Sequence, residues 1–165
     1  MTCVSVRSLV KELVPVHGLR AWRAFLKAHA AAVSEIEADL EERGMVSLTW
    51  YDVLLAINSA PGGQLRMGAI AEALVLTRSN ATRLVDKLAL AGLLQRGSVE
   101  EDGRGSAATL TAYGRRALRR AWPVYAAGIK RTFVDRLRRR ELEVVAETMT
   151  RVEDRAKAVP RRRRP

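Results

Sequence analysis

The chain is poor in the residues that build metal and redox centres. It holds one cysteine, Cys3, and two histidines, His17 and His29. One thiol excludes an internal disulfide framework and a Cys-rich zinc site, and two histidines are too few for a His-rich one. Aromatic residues make up 5% of the sequence, and lysine occurs only at Lys11, Lys27, Lys87, Lys130 and Lys157. No stretch approaches the roughly 18 consecutive apolar residues of a transmembrane helix. The N-terminus lacks the apolar core of a secretory signal. A glycine-rich phosphate loop is missing, as is a convincing nucleophile–base pair. These absences predict a cytoplasmic protein that is not an enzyme, with no cofactor, no metal and no membrane partner.

What is present is apolar mass and positive charge. The 165 residues are 48% hydrophobic. A chain of this size buries roughly 70% of its unfolded surface, so it needs no covalent staple. The 29 Lys and Arg against 18 Asp and Glu leave a net charge of +11. Such an excess attracts polyanions, with nucleic acid ahead of an anionic membrane or an acidic protein.

Periodicity divides the chain into five segments. Residues 1–18 show no sustained period and read as an N-terminal arm. Leu19, Trp22, Leu26, His29, Val33, Ile36 and Leu40 follow a 3-4 spacing, which predicts a long helix over 19–46 that Gly44 ends. Residues 47–110 read as a lobe of short elements. Ser47 or Thr49 caps its first helix, with Thr49 and Asp52 spaced as a capping box. The break Asn58–Gly63 follows, then a short strand Gln64–Arg66 and a two-turn helix carrying Met67, Ile70 and Leu74. Thr77 caps the next helix, with Ala81, Leu84, Val85 and Leu88 on its buried face and Gly92 closing it. Strands at 93–96 and 107–110 flank a charged tip, forming a β-hairpin. Residues 111–157 carry two further helices, the first capped by Thr111 and containing Pro123. Residues 158–165 form a basic tail without predicted structure. The fold class is mainly α with a small β-hairpin wing: a winged helix-turn-helix lobe plus a helical region.

That lobe suits double-stranded DNA. A helix fits the major groove, where its polar face reads base edges, and its first turn offers free N–H groups to phosphate. On the helix after Thr77 the outward face holds Ser79, Thr82, Arg83 and Asp86, flanked by Arg78, Asn80 and Lys87. At the hairpin tip Asp102, Gly103 and Arg104 put an arginine between glycines, which suits the narrow, negative minor groove. Taken alone, the polar helix face is equally well explained as an ordinary solvated one.

Thr82-Arg83-Leu84-Val85-Asp86-Lys87-Leu88, then Ala91-Gly92-Leu93-Leu94, Asp102-Gly103-Arg104-Gly105 and Leu110-Thr111-x-x-Gly114-Arg115, resemble the MarR family of multiple-antibiotic-resistance regulators. The resemblance covers about residues 19–157. It implies a dimeric repressor or activator released from an operator by a small molecule or oxidant. It also implies that Arg78, Ser79, Asn80, Thr82 and Arg83 lie at the groove, with Asp102 and Arg104 at the wing tip. The chain departs from the family at Ser106 and Ala107, where many members carry further arginines. The family reading seats a small-molecule effector between the first, second and long helices, which makes Trp22, His29, Trp50, Tyr51, Trp122 and Tyr125 candidate pocket residues. Core packing explains those aromatics equally well.

Two terminal stripes, Leu19–Leu40 and Leu142–Ala156, exceed what one small lobe covers, which predicts a homodimer. Cys3 lies in the arm, ahead of the first long helix, which disfavours redox sensing. The competing function is a non-specific, architectural DNA-binding protein without effector control.

Overall fold

The computed structural model describes residues 14–98 and 106–158. Residues up to Gly128 form one compact unit, and those from Ile129 a second. The elements are α1 (Val16–Glu42), α2 (Leu48–Ser59), a 3-10 turn (Pro61–Gly63), β1 (Gln64–Arg66), α3 (Met67–Ala73), α4 (Arg78–Leu90), β2 (Leu94–Ser98), β3 (Ser106–Leu110), α5 (Ala112–Thr132), a 3-10 turn (Val134–Arg136) and α6 (Arg139–Ala158). The mainly helical architecture with a small sheet is the one the sequence predicts.

In the first unit, α1 starts at Val16, three residues before Leu19, because the carbonyl of Pro15 already accepts from Leu19 N at 3.0 Å. It stops where Gly44 turns left-handed at φ 59°, with Met45 N returning to Leu40 O at 2.9 Å. Only Ile36 and Leu40 of its stripe are buried. Ser47 is the cap of α2, accepting from Trp50 N at 3.3 Å, while Glu37 Oε2 accepts from Leu48 N at 2.7 Å. Thr49 and Asp52 therefore fall inside the helix and form no capping box. A carboxylate from α1 does that work instead.

The core gathers on α2, whose Tyr51, Val53, Leu54 and Ile57 are almost fully buried. Leu40, Ile70, Val85 and Leu88 close over them from α1, α3 and α4. The predicted hairpin is part of a three-stranded antiparallel sheet in the order β1-β3-β2. Gln64 faces Thr109 on one side of β3, and Gln95 faces it on the other. Ala107 and Ala108 on the middle strand are wholly buried, small enough to let the helices approach the sheet.

The second unit contains the end of α5, a turn and α6. Lys130 Nζ reaches both carboxylate oxygens of Asp135 at 2.8 Å, and Glu141 Oε2 accepts from Arg138 N at 2.7 Å, capping α6. Its apolar side chains are largely uncovered: Val144, Met149 and Val152 are exposed. No helix among the described residues is long and apolar enough to cross a membrane.

Candidate nucleic-acid interface

Helices α3 and α4 are joined by a tight turn. Leu74 N returns to Ile70 O at 3.1 Å and Leu76 N to Ala71 O at 2.8 Å. Val75 sits between them with φ at 55°, a left-handed conformation that costs a β-branched residue dearly. Thr77 then caps α4, its Oγ1 accepting from Asn80 N at 3.3 Å. The cap leaves other N–H groups of the first turn free, with the positive end of the helix dipole behind them.

The two faces of α4 differ in burial, although Leu84, expected on the inner face, is only half-buried. Ala81, Val85 and Leu88 are completely buried, and the two larger side chains anchor the helix by roughly 1.5–3 kcal/mol each. Arg78, Ser79, Asn80, Arg83 and Lys87 are exposed, while Thr82 is half-buried. Thr82 Oγ1 donates to Arg78 O at 2.9 Å, so its hydroxyl keeps only acceptor capacity for a partner. Ser79 Oγ lies 3.2 Å from Thr77 Oγ1.

Asp86, also on the outward row, is paired with the Arg96 guanidinium on β2, and Arg96 Nη2 donates to Ser106 Oγ at 3.3 Å. Arg96 escaped the sequence reading. Its signal, an arginine ten positions from an aspartate across a predicted helix–strand turn, becomes legible only once β2 folds back along α4. Asp102, Gly103 and Arg104 of the expected wing tip lie outside the described residues.

Behind the interface, α5 is tied to the turn that ends α4. Gly92 adopts φ 72°. Thr111 Oγ1 donates to Gly92 O at 2.7 Å and accepts from Gly114 N at 2.9 Å, and Thr111 N donates to Leu93 O at 3.1 Å. Gly114 packs directly on the Leu93 carbonyl, where no Cβ fits.

The six aromatic and histidine candidates fall into two groups. Trp22 and His29 flank Phe25 along α1, with ring centroids 5.9 Å and 6.3 Å from it, and Trp22 is 56% exposed. Tyr51 and Tyr125 are 4.7 Å apart, and Trp122 is 6.2 Å from Tyr125. Trp50 is half-buried, next to Tyr51 in sequence. Burial, then Tyr125 and Asp52, raise the Tyr51 phenol above its ordinary value. Burial and Asp52 do the same to Tyr125, and burial with the Glu37 charge raises Asp52. A separate cleft of about 320 Å³ is lined by Gly44, Met45, Val46, Tyr113, Arg116, Ala117 and Arg120, none of them among the six.

Residues 46–105 match the sequence model of the MarR family. Comparison with curated proteins by sequence yields no match. Among solved structures, the chain is similar to AbsC, a MarR family transcriptional regulator from Streptomyces coelicolor, with TM-score 0.82 and 24% identity over 88% of this chain and 98% of that one. Sco3205, another such regulator from the same organism solved in complex with DNA, gives TM-score 0.79 and 25% identity over 86% and 88%. The PcaV transcriptional regulator, also from Streptomyces coelicolor and solved with its natural ligand, gives 0.66 and 26% over 94% and 99%. These relatives are regulators, not enzymes. Residues 46–105 thus resemble the MarR family in sequence, and the described chain has the fold of MarR-family transcriptional regulators.

Proposed function

We propose that the chain is a sequence-specific, DNA-binding transcriptional regulator that grips a pseudo-palindromic operator as a homodimer and leaves it when a small-molecule effector binds. The observation that carries this reading is the row Arg78, Ser79, Asn80, Arg83 and Lys87, exposed on a helix whose opposite face is anchored by the buried Ala81, Val85 and Leu88. A helix so anchored can present hydrogen-bonding side chains to base edges without unfolding cost. Arg104, with Asp102 and Gly103, is proposed as the minor-groove element. Sco3205, at 25% identity, was solved in complex with DNA.

In this reading residues 47–110 are the DNA-binding lobe, with 19–46 and 111–157 the dimerisation region. The exposed Trp22, Phe25 and Leu26 on α1, and Val144, Met149 and Val152 on α6, support a partner chain. PcaV, at 26% identity, was solved with a natural ligand, which supports an effector. The proposed seat is the Tyr51–Trp122–Tyr125 group.

Selection from random duplexes tests the function. A pseudo-palindrome bound about 10³-fold or more tighter than random duplex is expected. Equal affinity for all duplexes would establish the architectural alternative. Light scattering is expected to give twice the 18.3 kDa chain mass, and a monomer at micromolar concentration would refute the dimer.

A further inference from the structure

A carboxylate on a surface that meets DNA is repelled by phosphate, so Asp86 on the outward row of α4 needs a reason to be there. Arg96 provides it. One arm of its guanidinium holds the Asp86 carboxylate, and the other donates to Ser106 Oγ at 3.3 Å. A single side chain on β2 thus ties α4 to the first residue of β3. Beyond the Arg96–Ala108 pair the wing stem continues with Gly97 opposite Ala107 and Ser98 opposite Ser106. Gly97 and Ala107 are too small to offer much cross-strand packing, so this pair does little to fix the stem of the hairpin against α4.

We propose that Asp86, Arg96 and Ser106 form a brace that sets the wing's angle against the recognition helix α4, making Asp86 and Arg96 positioning residues for DNA binding. The proposal rests on the DNA-binding function argued above. Arginine suits the role because its planar fork serves two acceptors at once, which a lysine ammonium does not do in fixed geometry. The departure at Ser106 fits the same scheme: an arginine there would compete with Arg96 for Asp86, whereas serine accepts from it. Asp86 and Arg96 are both partly exposed, so the pair contributes little to folding stability. Its effect is on geometry.

The test compares Asp86→Asn, Arg96→Ala and the double variant, at one salt concentration, on the duplex enriched by selection and on random duplex. The brace predicts that Asp86→Asn weakens the enriched duplex about fivefold to tenfold, although a negative charge has been removed. The double variant then binds no more weakly than Arg96→Ala, Asp86→Glu recovers part of the loss, and melting temperatures stay at the wild-type value. An Asp86→Asn variant that binds as tightly as wild type, or tighter, overturns the proposal, as do single losses that multiply in the double variant. Amide hydrogen exchange gives a reading without DNA: Arg96→Ala should speed exchange in the β2–β3 hairpin and leave α2 and α5 unchanged. Unchanged hairpin exchange also overturns the brace. A wild-type protein that binds no duplex while Arg96→Ala does loosen the hairpin would overturn the DNA-binding function and leave the brace as a purely structural link.

Discussion

Replacing Gly114 by alanine is a sharp perturbation of the junction between α5 and the turn that ends α4. A Cβ at this position would sit 2.1 Å from Leu93 O and 3.0 Å from Leu93 C. Backbone on both sides is held. Leu93 O accepts from Thr111 N at 3.1 Å and from Thr111 Oγ1 at 3.2 Å, and Leu93 N donates to Leu88 O at 2.9 Å. Relief requires the start of α5 to retreat by about 1 Å, since non-bonded carbon contacts settle near 3.5 Å. That movement takes the Thr111 hydrogen bonds beyond useful length. Losing two or three of them costs about 2–4 kcal/mol, from roughly 0.5–1.5 kcal/mol each plus lost packing. Alanine's better helix propensity returns at most about 1 kcal/mol. The net loss of about 1–3 kcal/mol corresponds to a fall in melting temperature of roughly 2–12 °C. Gly128→Ala is the control: the three atoms nearest its Cβ all belong to the Ile36 side chain, with Cγ1 at 2.7 Å, and side chains yield more readily than backbone. Thermal unfolding followed by circular dichroism decides. A Gly114→Ala variant that melts with the wild type, or later than Gly128→Ala, refutes the reasoning.

Arg83→Ala should cost about 1–3 kcal/mol of discrimination between enriched and random duplex, whereas Arg104→Ala should weaken all duplexes, most with A·T-rich flanks. Competition binding with flank-swapped duplexes checks both, and an Arg83→Ala loss equal on all sequences would remove Arg83 from base reading. The Asp52 carboxyl is raised in the folded state by burial and then by Glu37. The folded protein thus holds this proton after the unfolded chain has released it, so stability falls as pH rises through that interval. Asp52→Asn should therefore raise the melting temperature more at about pH 7 than at about pH 4, and equal shifts would contradict the assignment. Val75 is 80% exposed at φ 55°, so Val75→Gly loses no packing and sheds about 1–2 kcal/mol of left-handed strain. Glycine's extra unfolded-state entropy offsets roughly 0.5–1 kcal/mol, and a lower melting temperature would show that the valine is not strained.

Local chemistry was written in the sequence. Thr77, Gly92 and Thr111 terminate elements because a hydroxyl reaches an orphan N–H or because a backbone turns left-handed, and both are properties of a few adjacent residues. The buried stripe of α4, with Arg78, Ser79, Asn80 and Arg83 opposite it, follows from helical period alone. What depended on distant partners was not legible. The Thr49–Asp52 spacing looked like a capping box, but Glu37 reaches across from α1 to take the Leu48 N–H. Gln64–Arg66 was recognisable as a strand, yet its pairing with β3 spans more than forty residues and no local pattern encodes it. Gly114 could be quoted as part of a motif, but only the folded chain brings the Leu93 carbonyl to where its Cβ would be. Asp86 looked like one more polar residue on a DNA-facing helix. Tertiary structure turned it toward Arg96, because the α4–β2 turn lays a strand beside the helix and puts two opposite charges, ten residues apart in sequence, into contact.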